Sequence, residues 1–274
     1  MKESILSKAT KSVVNILIIL IFFTPFYWMM LTSIKNLGQT LKMPPVFWVE
    51  NPQWQNFLTV FAKIPFFHML KNSIIVAVGI LICQCITVIP AAYAFARFRF
   101  KGDRFLFGVT LATMMIPAQL IFLPVFLMFS KAGMINSYAS LILPSASSAF
   151  AIFMLRQSFK QVPEEILEAA RLDNASEWDI MAKIMLPIVR PTVVTLALIT
   201  FISTWNDYFW PLVLTTNNVV RTLPVGIAAL RQSESGISYH ILMAGNVLLV
   251  IPVMLAFFLA QKQIIKAFTY TGEK

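Results

Sequence analysis

The sequence predicts an all-α polytopic membrane protein with six transmembrane helices and a cytoplasmic loop of two short helices. Composition comes first: of 274 residues, 58% are hydrophobic and only 12% are charged, against roughly 45–50% and about 25% in soluble domains. Second, six stretches of about 20 residues carry no run of charges, and each is long enough to cross a hydrocarbon core about 30 Å thick as a helix. Third, these stretches are continuously apolar, where a membrane strand of about 10 residues would alternate apolar and polar side chains. A soluble enzyme, a β-barrel and a disordered chain are excluded together.

The six spans fall at 13–31, 73–96, 105–129, 137–155, 192–214 and 241–260, in one membrane domain covering 1–274. The first is too long for a signal peptide and lacks a small-residue cleavage site, so it is expected to stay as an uncleaved span. Prolines sit inside several spans: Pro25, Pro90, Pro117, Pro124, Pro144 and Pro252, with Pro211 near the end of the fifth. Neighbouring helices re-satisfy the carbonyls that such residues free. The kinks either shape the packing or, around Pro117 and Pro124, line a path that opens and closes.

Loop lysines and arginines set orientation, because the cytoplasmic side accumulates them. With both termini inside, the inner segments hold Lys2, Lys8, Lys11, Arg97, Arg99, Lys101, Arg104, Arg156, Lys160, Arg171, Lys183, Arg190, Lys262, Lys266 and Lys274. That is 15 of the 22 basic residues. Both ends are therefore expected in the cytoplasm. The net charge of +10 is explained by topology, and its spread over four segments argues against a nucleic-acid partner, which needs basic residues gathered on one face.

The loop 156–191 differs from the others. It holds six of the twelve acids, Glu164, Glu165, Glu168, Asp173, Glu177 and Asp179. Pro163 followed by two glutamates starts a helix, since proline presets φ and the acids face the positive dipole end. Ile166, Leu167, Ala170 and Ala169 give it an apolar face. Asn174, which tolerates left-handed backbone, should end it. Ser176 with Asp179 resembles a capping box, and Ile180, Met181, Ile184 and Met185 recur at helical spacing until Leu186-Pro187 ends the second helix. Helices this short need a packing partner, either the chain's own surface or a separate subunit.

These residues also match a family. Glu168-Ala169-Ala170, three residues, a position usually glycine and here Asn174, nine residues, then Ile184-x-Leu186-Pro187 resembles the EAA motif of membrane subunits of binding-protein-dependent ABC importers. Further stretches, Asn136-Ser137-Tyr138, Pro163 through Ala175 and Trp205 through Pro211, are similar to the second permease subunit of the carbohydrate-uptake group, which serves maltose, other oligosaccharides and glycerol 3-phosphate. The resemblance implies that the bend docks in a cleft of a cytoplasmic ATPase. Coupling would then rest on Glu168, Ala169, Ala170, Asp173, Asn174, Ala175, Ile184, Leu186 and Pro187. The implied partners are a second permease subunit, two ATPase subunits carrying ATP and Mg, an extracytoplasmic solute-binding protein received by segments 32–72 and 215–240, and a carbohydrate. The implied site is the cell membrane.

The chain has no phosphate-binding loop of its own, since none of its nine glycines begins G-x-x-x-x-G-K-[ST]. No cofactor and no catalytic residue is expected. His68 and His240 lie far apart without companion ligands, so no metal site is expected. Cys83 and Cys85 read as packing residues. Asp207 is the only acid placed within a span, beside Trp205, Asn206, Tyr208 and Trp210. Intramembrane acids face a cavity or a partner. This group is either an interfacial aromatic belt or, with Pro117, part of a polar and aromatic solute path. The rivals to a sugar importer are an importer of glycerol 3-phosphate and a secondary transporter, for which one intramembrane acid is thin material.

Overall fold

The computed structural model describes residues 5–233 and 236–269; Lys2 and Lys274, counted for orientation, lie outside them. The chain forms two compact units, Met1–Phe66 with Gly226–Ile251 and Phe67–Val225 with Pro252–Lys274. Every described element is helical except a two-residue ladder, β1 (Gln232–Ser233) against β2 (Gly236–Ile237).

The smaller unit begins with α1 (Ile5–Ser33), which carries Pro25 internally. None of its apolar window is buried, a state that water would not tolerate over so large a patch. Asn36 then starts α2 (Leu37–Leu41) with a complete capping box: its side chain accepts from the Gln39 N–H at 2.8 Å, and the Gln39 side chain accepts from the Asn36 N–H at 3.1 Å. From α3 (Gln55–Lys63) the Asn56 amide donates to the carbonyls of Ser33 and Lys35. Lys35 itself is buried, its ammonium 4.2 Å above the centre of the Trp28 ring, and burial pulls its pKa below the ordinary lysine value.

In the larger unit the backbone is α4 (Phe66–Arg97), whose 32 residues rise about 48 Å. It starts seven residues before the expected 73. The apolar third stretch is not one helix. It divides into α5 (Asp103–Thr113), a 3-10 turn at Ala118–Leu120 and α6 (Phe122–Lys131). Pro117 causes the break: it has no N–H to continue the ladder and adopts φ −60°, ψ 132°. Pro124, by contrast, sits in the first turn of α6, where no donor is needed, and leaves the helix whole.

The fourth stretch is bent by 46°. Ser137 caps α7 (Tyr138–Ile142), Pro144 enters a 3-10 turn at Leu143–Ser145, and Ser148 caps α8 (Ala149–Lys160). Next come α9 (Glu164–Leu172), α10 (Glu177–Asp179), a π-helical turn at Ile180–Met185 and α11 (Leu186–Ile188). Leu186-Pro187 therefore does not end the second loop helix. The wider π turn falls just ahead of Pro187, where a regular ladder would lose a donor anyway, and the turn away comes at Val189, with an 82° bend.

The fifth stretch is also divided, into α12 (Arg190–Trp205) and α13 (Phe209–Leu214). Finally α14 (Leu223–Ala229) and α15 (Tyr239–Thr269) follow. Three helices, Thr10–Ser33, Phe66–Arg97 and Tyr239–Gln263, are each long and apolar enough to cross a membrane among the described residues, and two bent pairs raise the number to five. The expected sixth is the stretch that Pro117 interrupts. Cys83 is half-buried but Cys85 is exposed on α4, so only the first fits a packing role within the chain.

Candidate functional site

The bend between α9 and α10 is built as its residues dictate. Asn174 takes φ 58°. The Ala175 N–H donates to Ala170 O and the Asn174 N–H to Arg171 O, both at 3.0 Å. These two bonds are a Schellman cap, which satisfies the last carbonyls of α9 and needs one left-handed residue. Ser176 then accepts from the Asp179 N–H at 3.2 Å while its hydroxyl donates to the Asp179 carboxylate at 2.6 Å. The capping box thus closes through side chains, not through the Ser176 N–H. Lys183 pairs with Asp179 at 2.6 Å and holds that carboxyl below its ordinary pKa.

One face of this bent pair is packed inward. Leu167 and Ala170 of α9, with Ile180, Met181 and Met185 beyond the bend, share a cluster with Val88, Ala92 and Tyr93 of α4 and with Leu155 and Phe159 of α8. Ile184, Ala175 and Leu186 pack at its edge. The other face is open. Glu168, Ala169 and Pro187 are exposed, and so are Ile166 at 41%, Leu172 at 83% and Trp178 at 68%. Ile166 and Ala169, grouped by the sequence with Leu167 and Ala170 on one apolar face, instead lie on this outer side.

A ring of polar contacts fixes the bend to α4. Arg97, whose side chain is 9% exposed, reaches Glu164 at 2.8 Å and donates to Phe159 O in the last turn of α8 and to Val162 O just beyond it. One turn earlier on the same face, the Tyr93 hydroxyl donates to Glu177 at 2.5 Å. Arg171 closes the ring between Glu164 at 3.2 Å and Glu177 at 3.0 Å. The Tyr93 hydrogen bond, followed by the Arg171 guanidinium, holds the Glu177 carboxyl below its usual range, and Glu177 in turn raises Arg171. Glu165 and Glu168 make no ion pair among the described residues.

Two cavities, of about 250 and 230 Å3, lie along α4, α12 and the break between α7 and α8. Ser145, Ser203 and Thr204 line both. Of the expected path residues, Asp207 is the one that lines either of these two cavities among the described residues. Its Oδ1 accepts from the N–H groups of Phe209 and Trp210 at 3.0 and 3.3 Å, capping α13. Trp205 is buried and stacked on Phe201, Asn206 is exposed and donates to Ile202 O, Tyr208 is exposed, and Pro117 lies at the helix break. Sequence reasoning missed the hydroxyl lining, whose one trace is the helical spacing of Thr200, Ser203, Thr204 and Asp207.

Residues 88–270 match the family described as the binding-protein-dependent transport system inner membrane component. The chain belongs to this family. The match covers α4 from Val88 through the bend to α15, more than half of the chain. Among similar proteins is the arabinooligosaccharides transport system permease protein AraQ of Halalkalibacterium halodurans, 33% identical over 80% of this chain and 78% of that one. The lactose transport system permease protein LacG of Rhizobium radiobacter is 30% identical over 88% of each. The sn-glycerol-3-phosphate transport system permease protein UgpE of Brucella abortus is 33% identical over 74% of this chain and 73% of that one. In fold, the chain resembles one from a bacterial ABC transporter involved in the import of the acidic polysaccharide alginate, with a TM-score of 0.81 over 96% of this chain and 99% of that one at 24% identity. A multi-pass membrane protein of the inner-membrane family is what both the apolar helices and these relatives describe.

Proposed function

We propose that this chain is a permease subunit of an ATP-driven importer and forms, with a similar second permease subunit, the translocation path for a carbohydrate. Two ATPase subunits carrying ATP and Mg would grip the outer face of the α9–α10 bend, and an extracytoplasmic binding protein would deliver the solute. Six spans with both termini in the cytoplasm put the bend on the ATPase side.

The observation that carries this reading is the two-sidedness of the bend. A helix of nine residues is marginal alone, yet this one is locked inward by Leu167 and Ala170 while Ile166, Ala169 and Leu172 stay open to a partner. Small Ala169 permits close approach and unpaired Glu168 can meet a cation. Sugar-named relatives support the solute class. The relative named for glycerol 3-phosphate is no more identical than the arabinooligosaccharide one, so it does not favour that solute over a sugar.

Ala169→Arg tests the docking. Insertion and assembly of the permease pair should be unchanged, whereas ATP-driven uptake in proteoliposomes should be lost. Normal uptake with the ATPase still bound would refute the docking role.

A further inference from the structure

The two cavities are continuous in chemistry. Beyond the shared Ser145, Ser203 and Thr204, the first reaches Ser73, Thr222 and Asp207, and the second reaches Gln84, Ser148 and Thr200. Ser73 and Gln84 are eleven residues apart on one helix, about 16 Å of rise. Gln84 is oriented by two bonds, donating to Ser145 O at 3.0 Å and accepting from the Thr200 hydroxyl at 2.9 Å. Three separate elements thus turn hydroxyl and amide groups toward one run through otherwise apolar helices. Gln84 and Thr200 satisfy each other, but Thr222 Oγ1 on the first cavity is buried without a partner among the described residues, and a buried hydroxyl of that kind gains from a hydrogen-bonding solute.

Charge sets a second limit. Among the described residues neither cavity is lined by Lys, Arg or His, and Asp207 is the only ionisable side chain on either wall. Asp207 lines the first cavity, and its Oδ1 accepts from the Phe209 and Trp210 N–H groups, neither of which carries a charge to offset the carboxylate. An anion in this run would meet a carboxylate and no compensating cation, and the low local dielectric strengthens that repulsion. A neutral sugar would meet hydrogen-bonding groups only.

We propose that this run selects by charge, taking neutral polyhydroxylated solutes and turning away anions such as glycerol 3-phosphate or a uronate chain. It deepens the permease reading and rests on it. Ser203→Cys and, separately, Thr204→Cys, each in the complete assembly with Cys83→Ala and Cys85→Ala, place a reporter thiol between the two cavities. Cationic, neutral and anionic methanethiosulfonates of matched size are then applied, with each rate divided by that reagent's rate on a free thiol. The cationic reagent should react about tenfold faster than the anionic one, with the neutral reagent between them. Asp207→Asn, which keeps the acceptor for the two N–H groups, should bring that ratio to within about twofold. An anionic reagent as fast as the cationic one overturns the proposal. So does the absence of reaction with all three, which would make the run a dry packing defect. Co-purification of the ATPase subunits in the same preparations judges the permease reading, so the two failures are separately visible.

Discussion

The Tyr93 hydroxyl donates to the Glu177 carboxylate at 2.5 Å across 84 residues of sequence. Arg97, one turn further along α4, does the same for Glu164 on the other arm of the bend. One rigid helix therefore holds both arms, and Arg171 between the two glutamates sets their angle. Whatever moves the bend must move the end of α4 with it.

Tyr93→Phe removes one hydrogen bond to a charged acceptor and opens no cavity. Glu177 is partly exposed, so the expected loss is about 1 kcal/mol, a fall of about 2–4 °C in the Tm of the detergent-solubilised protein. ATP-driven uptake should drop more than ATPase activity does. Unchanged Tm and uptake would remove this bond from the account of coupling.

Arg97→Met strips the donor from the Phe159 and Val162 carbonyls and leaves Glu164 with Arg171 alone. A loss of about 2–3 kcal/mol is expected, seen as a lower Tm and faster proteolysis within 163–187. Arg97→Lys should recover less than half of it, since an ammonium cannot reproduce the planar fork that spans three acceptors.

At position 174 the backbone, not the side chain, is what matters. Asn174→Gly should leave stability within about 0.5 kcal/mol of the parent, and Asn174→Ala should cost about 1 kcal/mol because a Cβ resists positive φ. Equal Tm values for the two variants would contradict the left-handed cap.

Glu177 gives the ring a pH signature. Its folded pKa lies below the ordinary value of 4.5, so its contribution to stability is fully present above about pH 4.5. As pH falls through the lowered folded value, that contribution is lost. Protection of 163–187 from protease should accordingly be flat from pH 5 to 8 and fall as the pH drops through the lowered folded pKa of Glu177. Glu177→Gln should remove the acid limb and be weaker throughout.

At Gly79 the Ile142 side chain of α7 lies tight against α4: a Cβ there would stand 2.5 Å from Ile142 Cδ1. Gly79→Val should cost about 1–3 kcal/mol by overpacking, and adding Ile142→Ala should restore most of it. Failure of that rescue in a thermal unfolding series would place the strain elsewhere.

Local rules carried the bend well. Pro163 with Glu164 and Glu165, the left-handed Asn174 and the Ser176 cap are short-range signals, and each stands where its chemistry requires. The spans were legible as apolar stretches but not as helices, because hydropathy is blind to the backbone: the same apolar run that reads as 105–129 breaks at Pro117, and 192–214 breaks where Asp207 caps α13. Arg97 and Glu164 carry no mutual signal at a distance of 67 residues. The cavity lining stayed hidden for another reason. Single serines and threonines in apolar helices can bond their own i−4 carbonyl, so Ser73, Ser145 and Ser203 gain a shared meaning only once three helices bring them together.

The length of α4 has a mechanical sequel. Near its start Asn72 donates to the carbonyls of Val219 and Arg221 and accepts from the Tyr138 hydroxyl, while Ser73 accepts from the Leu223 N–H. Near its finish stand Tyr93 and Arg97. A hydrogen-bonded α-helix cannot stretch or telescope, so it behaves as a push rod with a clamp at either tip. Pro90, inside the helix between the two clamps, removes one donor from the ladder, so the rod can bend there, yet a displacement along its axis at one clamp reaches the other and the segment 215–223 beside it.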